Sequence, residues 1–156
     1  MNLIDKINKK QKNDFSKTDL FVYNGLIEKE RDLAVDLLSI NPDLKIIDSA
    51  YVLETDYSPE ELWLNPSSLL MMAQNVRIGL EEYITSTYLL KNIEALYDEL
   101  KVELSSLDAD YKTTISNANY KTIVVNSDNL LYLEKYDLNV ISLDENNTNY
   151  EKNLAL

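Results

Sequence analysis

The feature that most constrains the fold of this chain is one long stripe of apolar residues between Tyr88 and Ile115. The stripe advances in steps of three or four residues: Leu89, Ile93, Leu96, Leu100, Leu104, Leu107, Tyr111, Ile115. This spacing is typical of one face of an α-helix, which would span ~40 Å at 1.5 Å per residue. Because such a helix is too long for the face of one small sheet, we predict that it bridges two lobes or packs on a partner. An isolated coiled coil is the competing interpretation.

The composition favours long helices and excludes several classes of function. The 156 residues include only two glycines and three prolines, and neither cysteine nor histidine occurs. The absence of cysteine excludes disulfides and thiolate metal sites. The net charge of -12 argues against a phosphate-binding surface, so no nucleic-acid partner is expected. No window approaches ~18 consecutive apolar residues, so we expect no transmembrane helix. The N-terminal stretch lacks the apolar core of a secretion signal, and a lipoprotein signal would require a cysteine.

Short apolar runs alternate with helical patterns along the rest of the chain. A buried strand at Phe21–Tyr23 ends at Asn24-Gly25, and a second strand follows at Leu44–Ile47, which predicts a parallel pair with a helical crossover. Asn65-Pro66 is a helix-start signal. The remaining predicted elements are helices at Ile27–Ile40, Pro66–Tyr83 and Asp128–Tyr136, the last with a cap at Ser127, and strands at Thr122–Val125 and Val140–Leu143.

Several segments resemble, in the same order, motifs of the solute-binding proteins that feed zinc or manganese to ABC importers. Glu61-Leu62-Trp63-Leu64-Asn65-Pro66 is similar to the family's His-Val-Trp-Leu-Asp-Pro motif, and Thr18–Gly25 resembles its Ala-Asp-Leu-Phe-Val-Tyr-Asn-Gly strand and turn. The family's Thr-Ser-His-Asp, Tyr-Leu and Tyr-Gly-Leu segment is similar to Val124-Val125-Asn126-Ser127-Asp128, Tyr132-Leu133 and Tyr136-Asp137-Leu138. The long helix, with Leu104, Leu107-Asp108 and Tyr111, is similar to the helix that joins the two lobes in that family. The resemblance covers about residues 15 to 143.

The resemblance implies an α/β fold with a small parallel-sheet lobe, a long linking helix and a partial second lobe. We therefore expect an incomplete N-terminal lobe over residues 1–84, the backbone helix over 85–118 and a partial C-terminal lobe over 119–156. Family members are about twice this length. The resemblance also implies zinc or manganese as cargo, an ABC permease as partner, and a location outside the cytoplasm. A cytoplasmic location stays open from the sequence.

The ligand positions that the resemblance places in this chain no longer carry imidazole. Glu61 and Ser127 match two histidine ligands of the family, and Asp128 lies next to the second. Serine is a poor ligand for zinc, so we expect zinc binding to be weak or absent. Glu60, Glu61 and Asp128, with Glu54 and Asp56 nearby, leave open a weak site for a hard cation. They also leave open a site completed by another segment, or ordinary solvated acids near a helix N-terminus.

Catalysis has no motif in its favour, so the chain is not expected to be an enzyme. The main alternative to a divergent solute-binding component is a non-catalytic interaction module built on the same scaffold. We expect Trp63, between Leu62 and Leu64, to be buried. We also expect self-association, because half of a family fold would leave sheet edges and part of the apolar stripe uncovered.

Overall fold

A computed structural model of the chain describes residues 3–53 and 59–155. The chain divides into two compact units. Unit 1 contains Met1–Leu53 and Leu70–Leu100, and unit 2 contains Glu54–Leu69 and Lys101–Leu156. The architecture is α/β, with helices and two short parallel sheets, as the sequence predicts. The finer division into three consecutive parts stays a prediction.

Unit 1 is built on a β-α-β element. Strand β1 (Leu20–Tyr23) pairs in parallel with β2 (Lys45–Asp48), and helix α2 (Glu28–Ile40) connects them. Leu37, the most deeply buried of the apolar residues on α2, packs with others between the helix and the sheet. The main members of this cluster are Leu33, Leu37, Leu44, Phe21, Ile46, Ile4 and Ile7. A short helix α1 (Lys9–Phe15) precedes β1, and its capping box at Asn8 and Gln11 fixes where it begins.

The turn after β1 depends on a glycine. The Gly25 N–H donates to Asp48 Oδ1 at 2.8 Å, and the Leu26 N–H donates to Asn24 Oδ1 at 3.1 Å. A Cβ at position 25 would lie 2.0 Å from Asp48 Oδ2, so no larger residue fits without displacing that carboxylate. The Asn-Gly turn that the sequence predicts is therefore confirmed, and Asp48 at the end of β2 holds it closed.

Helix α3 (Pro66–Tyr83) begins where the Asn-Pro signal predicts. Asn65 Oδ1 accepts from the Ser67 N–H at 3.1 Å, and the Asn65 carbonyl accepts from the Leu69 N–H at 2.9 Å. Within unit 1, Gly79 of α3 lies directly against the buried side chain of Ile47 on β2. The lack of a side chain at Gly79 therefore permits the close packing of helix on strand.

Helix α4 (Thr87–Asn117) contains the predicted apolar stripe and extends it slightly at both ends. Its residues up to Leu100 belong to unit 1 and the others to unit 2. Leu104 and Ile115 are buried, whereas Leu96 is 65% exposed. The stripe is thus only partly covered by the rest of the chain. None of the helices in the described residues is long and apolar enough to cross a membrane.

Unit 2 contains a second parallel pair, β3 (Thr122–Val125) with β4 (Asn139–Ser142). A 3₁₀ helix at Asp128–Tyr136 connects them and ends at Asp137, whose φ of 65° is in the left-handed region. Tyr132, Tyr136, Leu138 and Val140 form the core with Ile115 of α4. A further 3₁₀ helix spans Pro59–Leu64 and leads into α3. Helix α5 (Tyr150–Leu154) follows β4 and was not predicted.

Candidate functional site

Ser127 caps the 3₁₀ helix that follows β3. Its backbone is extended, and its Oγ accepts from the Asn129 N–H at 3.4 Å. The Ser127 hydroxyl also forms a hydrogen bond with Asn129 Oδ1. This is the cap that the sequence predicts at Ser127-Asp128. The hydroxyl is therefore engaged in local structure, at the position where the resemblance puts a metal-binding histidine.

Asp128 connects three segments of unit 2 through hydrogen bonds. Its Oδ1 accepts from the hydroxyl of the buried Ser142 at 2.5 Å and from Asn147 Nδ2 at 2.8 Å. The same carboxylate borders a polar cavity of about 490 Å³, which Asn149 and Lys152 also line. Asp128 is thus primarily a structural acceptor at the edge of this cavity.

Asp144 lies in the turn after β4. Its Oδ1 accepts from the Asn146 N–H at 2.9 Å and from Asn146 Nδ2 at 3.0 Å. The backbone hydrogen bond from Asn146 is the main reason that the pKa of Asp144 is below its usual value, and the Asp128 N–H adds to the effect. These bonds shape the turn and leave Asp144 ionised at neutral pH.

Glu61 lies on the 3₁₀ helix Pro59–Leu64, in the same unit as Ser127. The side chains of Glu60 and Glu61, and residues 54–58 with Glu54 and Asp56, lie outside the described part of the structure. Among the side chains that it describes, no three aspartates or glutamates come close enough together to hold a metal ion. The metal role of Glu61, Ser127 and Asp128 stays a prediction.

Trp63 is not buried, so the prediction made from its apolar neighbours is wrong. Its exposed fraction is 59%, whereas Leu62 is buried and Leu64 packs against the core of unit 2. A 3₁₀ helix has three residues per turn, so three consecutive side chains point in three directions about 120° apart. Once Leu62 and Leu64 face the protein, Trp63 must face outwards.

A polar network in unit 2 joins residues that are far apart in the sequence, and it was not predicted. Lys135 Nζ lies 2.6 Å from Asp108 Oδ1, 2.8 Å from Ser67 Oγ and 3.3 Å from Asn65 Oδ1. The Tyr136 hydroxyl also donates to Asp108 Oδ1, at 2.7 Å. We call Asn65, Ser67, Asp108, Lys135 and Tyr136 the Lys135 network.

The network shifts the pKa values of two of its members, Asp108 and Tyr136. The hydrogen bond from Lys135 is the largest cause that holds the pKa of Asp108 below its usual value, and Tyr136 and Ser67 add to the effect. Burial, together with the Asp108 carboxylate, raises the pKa of Tyr136 well above that of a free phenol. Asp108 is therefore ionised at neutral pH, and it forms an ion pair with Lys135. Tyr136 remains a neutral donor to that pair.

The sequence profile of the family described as ZnuA, the zinc-uptake complex component A, periplasmic, matches residues 6–155. The chain belongs to this family. Proteins of the family are extracytoplasmic metal-binding components of ABC importers and not enzymes. A search among curated protein sequences finds no significant match.

Solved structures show the same fold at low sequence identity. The laminin-binding protein Lbp of Streptococcus pyogenes superposes with a TM-score of 0.73 at 20% identity, covering 94% of this chain and 60% of that one. The metal-dependent lipoprotein YcdH of Bacillus subtilis gives 0.73 at 19% identity, covering 87% and 52%. A zinc-bound deletion mutant of ZnuA gives 0.71 at 20% identity, covering 94% and 60%. This chain therefore spans about 60% or less of the length of these relatives.

Proposed function

We propose that this chain is a divergent solute-binding component of a zinc or manganese ABC importer, in which metal binding is weakened or lost. The proposal rests on membership of the family together with the residues at its ligand positions. Metal ions would be its ligands, an ABC permease its partner, and the outside of the cytoplasmic membrane its location. It would act by binding and release, without catalysis.

The main observation behind the proposal is that the side chains of Ser127 and Asp128 already form hydrogen bonds within the protein. A zinc site requires about four imidazole, thiolate or carboxylate ligands, and the chain contains neither histidine nor cysteine. The Ser127 hydroxyl is bonded to Asn129, and Asp128 Oδ1 accepts from Ser142 and Asn147. A metal ion would have to compete with these hydrogen bonds. Of the two matched positions, only Glu61 would offer a carboxylate, where the family has a histidine.

Calorimetric titration of the chain with Zn²⁺ and with Mn²⁺ tests the proposal. We expect a Kd weaker than about 1 µM, that is, less than about 8.2 kcal/mol of binding free energy. The double substitution Glu61→His with Ser127→His should raise the zinc affinity, because it returns imidazole to both positions. Submicromolar zinc binding by the unsubstituted chain would refute the loss of metal binding.

A matched control separates an assembled site from the mere presence of two histidines. Glu94→His with Ser106→His places two imidazoles on exposed positions of α4, twelve residues or about 18 Å apart along the helix. Two side chains that far apart do not share one ion, so this variant should bind zinc no better than the parent chain. A gain in affinity equal to that of the Glu61 and Ser127 pair would show that the two positions hold no site.

The alternative function, a protein-interaction module on the same scaffold, has its support in exposed apolar side chains. Trp63 in unit 2 and Leu96 and Val102 on α4 all have more than half of their surface exposed. Aromatic side chains such as that of Trp63 are enriched in protein interfaces relative to the rest of the surface. We propose self-association as the simplest form of this interaction. Sedimentation equilibrium at micromolar concentration tests it, and a monomer of 18.0 kDa would refute it.

A further inference from the structure

The Lys135 network joins the two chain segments that carry the family's ligand positions. Asn65 and Ser67 follow Glu61 by four and six residues, at the junction of the 3₁₀ helix Pro59–Leu64 with α3. Lys135 lies near the end of the 3₁₀ helix that Ser127 caps. Both segments meet at one atom, Lys135 Nζ, and all these residues belong to unit 2.

We propose that Lys135, held by Asp108, is a positioning residue that fixes the segment carrying Glu61 relative to the segment carrying Ser127. This inference rests on the proposed function, because the proposed function places the remains of a metal site on these two segments. It assigns the network a role that is separate from binding the ion. Asp108 serves as the anchor, since it sits on α4 and accepts from both Lys135 and Tyr136.

Packing alone brings the segments together without fixing their relative orientation. Leu64 contacts the cluster that contains Tyr132 and Tyr136, and such apolar contacts are non-directional. The Lys135 ammonium adds three directed contacts of 2.6 to 3.3 Å and also lies 4.6 Å from the centre of the Tyr136 ring. The side chains of Lys135 and Asp108 are 30% and 38% exposed, so the pair is partly shielded from solvent.

A distance measurement tests the positioning directly, because the chain has no cysteine of its own. Trp63→Cys and Asn126→Cys introduce two exposed sites for nitroxide labels, one on each segment. Pulsed electron resonance should give a narrow distance distribution in this labelled parent. Lys135→Met should broaden the distribution or shift its mean, and Asp108→Asn, which nearly keeps the shape of the side chain, should act in the same direction.

A matched ion pair in unit 1 provides the control. Lys12 and Asp36 are 2.5 Å apart with exposed fractions of 32% and 48%, close to those of the Lys135 pair. Lys12→Met should leave the label distances unchanged while removing a comparable pair. An unchanged distribution in both Lys135→Met and Asp108→Asn would overturn the positioning role.

Zinc titration adds a functional measurement. In the variant carrying Glu61→His and Ser127→His, the further change Lys135→Met should weaken zinc binding about tenfold or more, as for residues that orient metal ligands. Tight zinc binding by the unsubstituted chain would refute the proposed loss of metal binding but not the positioning. The label distances decide the positioning whatever the zinc result.

Discussion

Replacing Gly79 by alanine should destabilise the protein, although alanine is the better helix former. In the interior of α3, alanine should stabilise the helix by about 1 kcal/mol relative to glycine. The added Cβ would lie 2.6, 2.8 and 2.9 Å from Cγ1, Cδ1 and Cγ2 of Ile47, a side chain that is only 4% exposed. Overpacking of this kind costs about 1–3 kcal/mol. We therefore expect Gly79→Ala to lower the free energy of unfolding by up to about 2 kcal/mol.

The effect of Gly79→Ala on the free energy of unfolding should change sign when Ile47 is replaced by a smaller residue. Ile47→Ala removes all three contacting atoms, and alone it should cost about 2–5 kcal/mol. In that background Gly79→Ala should stabilise the protein by about 1 kcal/mol, because the helix propensity remains and the clash is gone. Urea unfolding followed by circular dichroism measures all four proteins. If Gly79→Ala stabilises the chain while Ile47 is intact, the close packing of α3 on β2 is refuted.

Three further predictions concern unit 2. Asp137→Gly should stabilise the protein by up to about 1 kcal/mol in urea unfolding, because position 137 has a left-handed backbone that glycine adopts at little cost. Trp63→Ala should change stability by less than about 1 kcal/mol, and native tryptophan emission should be red-shifted and readily quenched, since the side chain is exposed. The pKa of Asp108 lies below its usual value of 3.8, so the stability that this carboxylate contributes is present above that pH and is lost as the pH falls through the lower folded value. The stability difference between the parent and Asp108→Asn should therefore shrink as urea unfolding is moved from neutral pH to about pH 3.

Two of these three predictions have a matched control variant, and for Trp63 the contradicting result is stated directly. Asp137→Ala keeps a Cβ in the left-handed conformation and should not stabilise, so equal gains for alanine and glycine would contradict the conformational argument. A blue-shifted emission, or a loss of several kcal/mol on truncation, would show that Trp63 is buried after all. Asp110→Asn changes an exposed carboxylate on the same helix, and its effect should be small at every pH. A similar pH dependence for both asparagine variants would remove the special role of Asp108.

Local signals were sufficient to predict most of the elements. Asn65-Pro66 marks the start of α3 to the residue, because the cap and the proline act within one turn. The β-branched run at Thr122–Val125 is a strand with the predicted bounds. β1, β2 and α2 differ from prediction by about one residue, as expected where ends are set by pairing with neighbours.

Features that depend on distant parts of the chain were not predictable in the same way. Lys135 and Asp108 are separated by 27 residues, and nothing in either local pattern indicates that they meet. The orientation of Trp63 depends on a 3₁₀ turn, whose period differs from the helix and strand periods that sequence patterns reveal. The roles of Glu61, Ser127 and Asp128 came from family resemblance alone, and they remain predictions.

The closed turn at Asn24-Gly25 has a consequence for the chemical ageing of the protein. An asparagine followed by glycine is prone to lose ammonia when the glycine nitrogen attacks the side-chain amide carbon, and asparagine is accordingly a thermolabile residue. Here the Gly25 N–H is held by Asp48, while Asn24 Oδ1 is held by the Leu26 N–H. Deamidation at this site therefore requires the turn to open first, so its rate over days of storage would report how often the end of β1 separates from β2.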